Sequence, residues 1–177
     1  MEKKLLSVAF IIVLGIVGVF AYSNQFDSNH NMMKMIKFIE QNTELKYKGD
    51  PLPKVEIATQ KEMCEVLFDV VPTECNIAGY YNDETNVIVI GKNPTKHMVK
   101  DKFKEVILVH ELVHFLQKTN GVYETIECRR ALEQDAFKVQ ELYVEEHNIN
   151  PRQKPDPLFS MMISNCHTYR MPTSESH

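Results

Sequence analysis

The chain has no excess of positive charge: 20 Lys and Arg stand against 24 Asp and Glu, a formal net charge of -4. A nucleic-acid partner wants a basic stripe or patch, so that class of function is excluded. None of the four cysteines, Cys64, Cys75, Cys128 and Cys166, falls in a Cys-x-x-Cys pair. Their spacings are therefore wrong for a cysteine-rich zinc site. No internal repeat, low-complexity tract or domain linker interrupts the chain, and 177 residues make one domain with a real core rather than two. No cysteine lies at the end of the N-terminal apolar run, which excludes a lipid-anchored N-terminus.

That apolar run is the first positive feature. Lys3 and Lys4 precede an apolar stretch from Leu5 to Tyr22, which gives way to Ser23-Asn24-Gln25. A short basic start followed by a hydrophobic stretch is the form of a secretory signal, with Val19 and Ala21 marking a cleavage site. The run is just long enough to cross a bilayer, so an uncleaved anchor that keeps the two lysines in the cytoplasm is the alternative. Residues 1–22 are thus read as a signal peptide or membrane anchor, and 23–177 as a single extracytoplasmic domain, secreted, periplasmic or tethered through residues 5–22. Four cysteines, an even number, fit an oxidising compartment. Proximity in sequence favours Cys64–Cys75, leaving Cys128–Cys166; four buried thiols are the competing reading.

Hydrophobic spacing predicts a first helix over Asn31–Thr43, where Met32, Met33 and Met35 read as core filling. A short strand over Val55–Ala58 follows, then a helix capped by Thr59 and ended by Pro72. Ile77–Tyr81 and Asn86–Ile90 flank the polar Asn82-Asp83-Glu84-Thr85 and predict a hairpin, in which Asn86–Ile90 reads equally as an edge strand on which an extended peptide could lie or as an ordinary sheet strand. Two longer helices come next, about Thr95–Thr119 with a stop at Asn120-Gly121, and about Thr125–His147. A proline-rich connector leads to a short Phe159–Ile163 segment. The order predicts an α+β fold: a small antiparallel or mixed sheet packed on one helix and followed by a second long one.

The chemistry lies in His110-Glu111-Leu112-Val113-His114. Histidines four apart project from one helical face, one turn apart, and can share a tetrahedral zinc ion, while Glu111 reaches water at the metal. Val106, Ile107, Leu108, Val109, Leu112, Val113, Phe115 and Leu116 make the helix apolar on nearly all sides. Two histidines and a glutamate buried there are costly unless something pairs them, and a metal does so. On the following helix Glu133 is the one carboxylate on the inward arc, which it shares with Arg129 and Gln140. It is the third ligand on this reading, and the ion-pair partner of Arg129 or Arg130 on the bland one.

With Glu133-Gln134-Asp135-Ala136 downstream of His-Glu-Leu-Val-His, the stretch from about Asn86 to Glu146 resembles the gluzincin metallopeptidases, in which a Glu-x-x-Ala helix supplies the third ligand. The resemblance implies a zincin-like fold, zinc held by His110, His114 and Glu133, and Glu111 as general base. The sequence departs from the family at Phe137, where many members carry Asp; Asp135 is the expected substitute. A third histidine at metzincin spacing is absent. Tyr123, Tyr143, His167, Tyr169 and Arg170 are the candidates for stabilising an oxyanion.

The expectation is an exported, monomeric zinc metallopeptidase acting on a peptide or protein substrate. The alternatives are a zinc-bound, non-proteolytic binding or inhibitory module outside the cytoplasm, and a metal-free structural domain in which the motif is coincidence.

Overall fold

The computed structural model describes residues 29–68, 75–92 and 102–166. The segment 1–22, residues 95–101 of the helix expected from Thr95, Pro72, and the candidates His167, Tyr169 and Arg170 lie outside them; the described helix opens at Phe103, after Lys102 in the left-handed conformation, later than the expected start. The chain divides into two compact units, Met1–Lys34 and Met35–His177. Everything that follows concerns the second, apart from the opening of the first helix.

Residues 29–42 are helical (α1). Met35, Ile36, Phe38 and Ile39 are buried along it, the spacing of a helical stripe. Of the methionines expected in the core, Met32 and Met35 are buried and Met33 is exposed. Strand β1 (Lys54–Ala58) leads into α2 (Gln60–Leu67), which opens on a capping box: Thr59 accepts from the Glu62 backbone while the Glu62 carboxylate accepts from the Thr59 backbone. Strands β2 (Gly79–Asn82) and β3 (Val87–Gly91) form the expected hairpin. Its turn is held by the Asn82 side chain, which accepts from the backbones of Glu84 and Thr85, and Asn86 takes the left-handed conformation that Asn tolerates.

The sheet order is β1-β3-β2, with β1 parallel and β2 antiparallel to β3. This corrects one expectation. The Asn86–Ile90 region is not an edge: β3 is the central strand, with Ile88, Val89 and Ile90 buried, and β2 is the edge beside it. A strand buried on both faces reads as an unbroken apolar run, which is how Val87-Ile88-Val89-Ile90 reads.

Helix α3 (Phe103–Thr119) packs against β2, β3 and the next long helix, so nearly all of its circumference is buried. Its end matches expectation: Asn120 caps the last turn through Leu116 and Gly121 follows with φ +76°. The next helix, α4 (Leu132–Glu146), starts seven residues later than the spacing of apolar residues suggests. Two single 3₁₀ turns, Val122–Glu124 and Arg129–Ala131, occupy the interval. Between them Cys128 is fully extended and bonded to Cys166, a backbone conformation incompatible with a continuous helix. Helix α5 (Pro157–Ser164) follows, capped by Asp156.

Both cysteine pairs, Cys64–Cys75 and Cys128–Cys166, are disulfide-bonded as sequence proximity suggested. They fit an oxidising, extracytoplasmic compartment. Among the described residues no helix is long and apolar enough to cross a membrane. The architecture is α+β: a three-stranded mixed sheet, α3 against it, and α4 against α3.

Candidate metal centre

The 3.6-residue period of α3 puts His110 and His114 one above the other, with their rings 5.0 Å apart. Glu133, in the first turn of α4, faces them: one carboxylate oxygen lies 3.2 Å from His110 Nε2 and the other 3.5 Å from His114 Nε2. One ligand atom from each of the three residues lies within 4.8 Å of the others. A tetrahedral ion with ligand bonds near 2.0–2.2 Å has ligand atoms about 3.3 Å apart, and the imidazole–carboxylate separations match that spacing.

Two glutamines decide which ring nitrogen faces the cluster. Gln117 donates its amide to the Leu132 carbonyl at 2.9 Å, which leaves its carbonyl oxygen for His114 Nδ1, also at 2.9 Å. Gln140 donates to the Gln153 carbonyl at 3.3 Å and presents its oxygen to His110 Nδ1 at 2.9 Å. In both cases an oxygen meets Nδ1, so Nδ1 carries the proton and Nε2 points to Glu133. Two bare Nε2 lone pairs and a carboxylate cannot converge without a proton or a cation among them. The donor set, neutral imidazoles with one carboxylate, is one that binds a divalent ion such as zinc.

The electrostatics follow from the same geometry. Burial works to lower the His114 pKa, but the Glu133 hydrogen bond and the charges of Glu111 and Glu133 prevail and raise it to about 9. Burial works to raise Glu133, but hydrogen bonds from both imidazoles and their charges hold its carboxyl well below the usual carboxylate range. Glu111 lines the same cleft, buried, and its pKa is raised chiefly by that burial; the two histidines and the Tyr81 backbone N–H oppose the shift.

Edge strand β2 approaches α3 closely at Gly79. A Cβ there would lie 2.5 Å from Ile107 Cγ2, 2.9 Å from the Val89 carbonyl and 3.3 Å from a Glu111 oxygen. Only glycine leaves room. The histidines, Glu111 and Glu133 line a cleft of about 860 Å³, with β2 on one side and Phe137 and Phe159 on another. The Phe137 ring lies 4.8 Å from the His110 ring and 6.4 Å from that of Phe159.

The other expected residues separate cleanly. Tyr123 lines the cleft, whereas Tyr143 is buried on α4 against Phe38 and stacked on His147. Arg129 does not pair with Glu133 but with Asp83, at 3.4 Å, and lies over the Tyr123 ring. Asp135 is exposed and does not brace His110, which corrects the expected substitution; Gln140 does so instead. Neither glutamine was singled out for a role from the sequence. The signal available was position, Gln117 three residues after His114 and Gln140 on the same inward arc as Glu133.

Residues 25–170 match the family described as a domain of unknown function (DUF6647), and the chain belongs to that family. No curated protein and no solved structure matches it.

Proposed function

We propose that this chain is an exported zinc metallopeptidase of the gluzincin type, with a zincin-like domain in which His110, His114 and Glu133 hold the metal and Glu111 is the general base. The observation that carries the reading is the convergence of two Nε2 atoms and one carboxylate within 4.8 Å, in the cleft that also holds the buried Glu111. Titratable groups with perturbed pKa values, gathered in a cleft and facing one another, are the physical mark of a functional site.

When bound, zinc supplies a Lewis acid that polarises a substrate carbonyl and makes water more acidic. Glu111 takes the proton of the attacking water and passes it to the leaving amine. Burial raises its pKa and so makes its carboxylate a stronger proton acceptor than an exposed one. Tyr123 is the donor we assign to the developing oxyanion. Burial, with Asp83 beside it, raises its pKa, so the phenol keeps its proton over the working range. Edge strand β2, in place of β3, offers the backbone on which an extended peptide lies. The domain acts outside the cytoplasm, released or held by the N-terminal apolar segment.

The test is metal content measured beside hydrolysis of a peptide library. The wild type should hold about one zinc, and His110→Ala and His114→Ala should lose it. Glu111→Gln should keep the zinc and lose hydrolysis by about 10²–10⁴-fold. Turnover left intact in Glu111→Gln refutes the mechanism. Zinc without cleavage of any peptide would instead favour the non-proteolytic binding module.

A further inference from the structure

The gluzincin pattern has an acid where this chain has Phe137, and in its place an amide one turn further along α4 meets the histidine. His114 is braced in the same way. Each brace is buried, Gln117 at 1% and Gln140 at 5% exposure, and each joins an imidazole N–H to a main-chain carbonyl. A carboxylate could take the imidazole proton but would turn its second oxygen against that carbonyl. An aliphatic side chain would do neither. Only a group that accepts at one end and donates at the other fits between the two partners.

The connections also tie different elements together. Gln117 belongs to α3, but its acceptor Leu132 is the first residue of α4 and the neighbour of Glu133. One side chain therefore sets the ring of His114 and the start of the helix that carries Glu133. Gln140 belongs to α4 and reaches back to His110 on α3, while its amide holds the Gln153 carbonyl in the 3₁₀ turn Pro151–Gln153. The two relays run in opposite directions between α3 and α4.

We infer that Gln117 and Gln140 are positioning residues for the metal. Their amides lock both imidazoles in the Nδ1–H tautomer, so that the cation is taken through Nε2 of His110, Nε2 of His114 and the Glu133 carboxylate. The bracing must be neutral and two-ended, which is why glutamine stands at both positions. This rests on the metal-centre part of the proposed function but not on peptide hydrolysis.

The experiment uses the full mature protein, zinc competition against a chromophoric chelator, and cadmium-113 as the spectroscopic probe. Gln117→Leu and Gln140→Leu should each weaken zinc binding by about 10–100-fold. Gln117→Glu should fail to restore wild-type affinity, because its carboxylate faces the Leu132 carbonyl. In nitrogen-15 spectra of the cadmium-loaded wild type, the metal should couple to Nε2 of both histidines while Nδ1 keeps its proton. Far-UV circular dichroism of the variants checks that a loss of affinity is not a loss of fold; should a leucine variant unfold, the wild-type coupling pattern decides alone. Coupling through Nδ1 at either histidine overturns the inference, as does wild-type zinc affinity in both folded leucine variants. Zinc held as expected with no peptide cleaved leaves this inference standing and removes only the peptidase reading. A wild type that binds neither zinc nor cadmium removes both.

Discussion

Gly79 is the residue at which the sheet, helix α3 and Glu111 meet. A methyl group there would lie 2.5 Å from Ile107 Cγ2 and 2.9 Å from the Val89 carbonyl, and the carbonyl is backbone that cannot rotate away. Gly79→Ala should therefore cost about 1–3 kcal/mol by overpacking. It should also push β2 off α3 and lower peptide turnover while leaving zinc content near one per chain. Chemical denaturation, metal analysis and activity on the same preparation check the three parts together. A second prediction concerns protons. In the metal-free protein His114 holds its proton up to about pH 9, against 6.5 unfolded, and the Glu111 pKa is also raised. Both groups bind protons more tightly folded than unfolded, so the stability they contribute is complete in acid and falls as pH rises through their folded values. Glu133 acts oppositely, its contribution present above its unfolded value and lost in acid. The midpoint of thermal unfolding should thus decline between about pH 6.5 and 9 in chelator, and zinc, replacing those protons, should flatten the decline. At this scale the sequence was most legible where spacing alone carries meaning. His110, His114 and Glu133 come together as their periodicities require. The glutamine braces were hidden, because an amide's role depends on which carbonyl lies beyond it, and Leu132 and Gln153 reach their places only through tertiary packing.

Among the elements, α3 was the most legible, since an apolar stretch with Asn-Gly at its end has few other fates. The pairing within the sheet was the least. Nothing in Lys54–Ala58 says that its partner is β3, parallel, with Ile57 opposite Ile90, nor that this pairing turns β2 into the edge. Long-range pairing is settled by how the whole sheet covers α3, not by any local run. Helix α5 shows the same limit. Its Leu158, Phe159, Met161 and Met162 are exposed, and none of its residues is buried. It rests on α4 and the 3₁₀ turn Arg129–Ala131, with a cavity of about 540 Å³ beside it. What fastens it is the bond from Cys166 to Cys128, which closes a span of 38 residues and is worth about 3–4 kcal/mol on chain-entropy grounds. Replacing both cysteines with serine should lower global stability by about that amount. In hydrogen exchange α5 should lose protection first, with α3 and the first turn of α4 losing it last. Equal protection of α5 in the two proteins would show that the bond is not what holds it.

For the molecule as a whole, the metal we propose would be linked to the fold. A cation that bridges α3 and α4 binds only when both helices are in place, so it stabilises the folded state by mass action. Free zinc at a hundred times its dissociation constant should add about 2.7 kcal/mol. For a chain of this size that is a rise of about 5–10 °C in the unfolding midpoint, measurable by scanning calorimetry with and without chelator. The His110→Ala protein should show no such rise.

The tie between Cys128 and Cys166 also gives the molecule an order of completion. The scaffold of sheet, α3 and α4 rests chiefly on buried apolar surface, whereas the cleft wall that carries Phe159 is strung to it by the Cys128–Cys166 bond. A newly made chain among reducing thiols would have His110, His114 and Glu133 assembled and that side of the cleft slack. Oxidation after export would draw the wall in, so that a finished cleft and an oxidising environment arrive together.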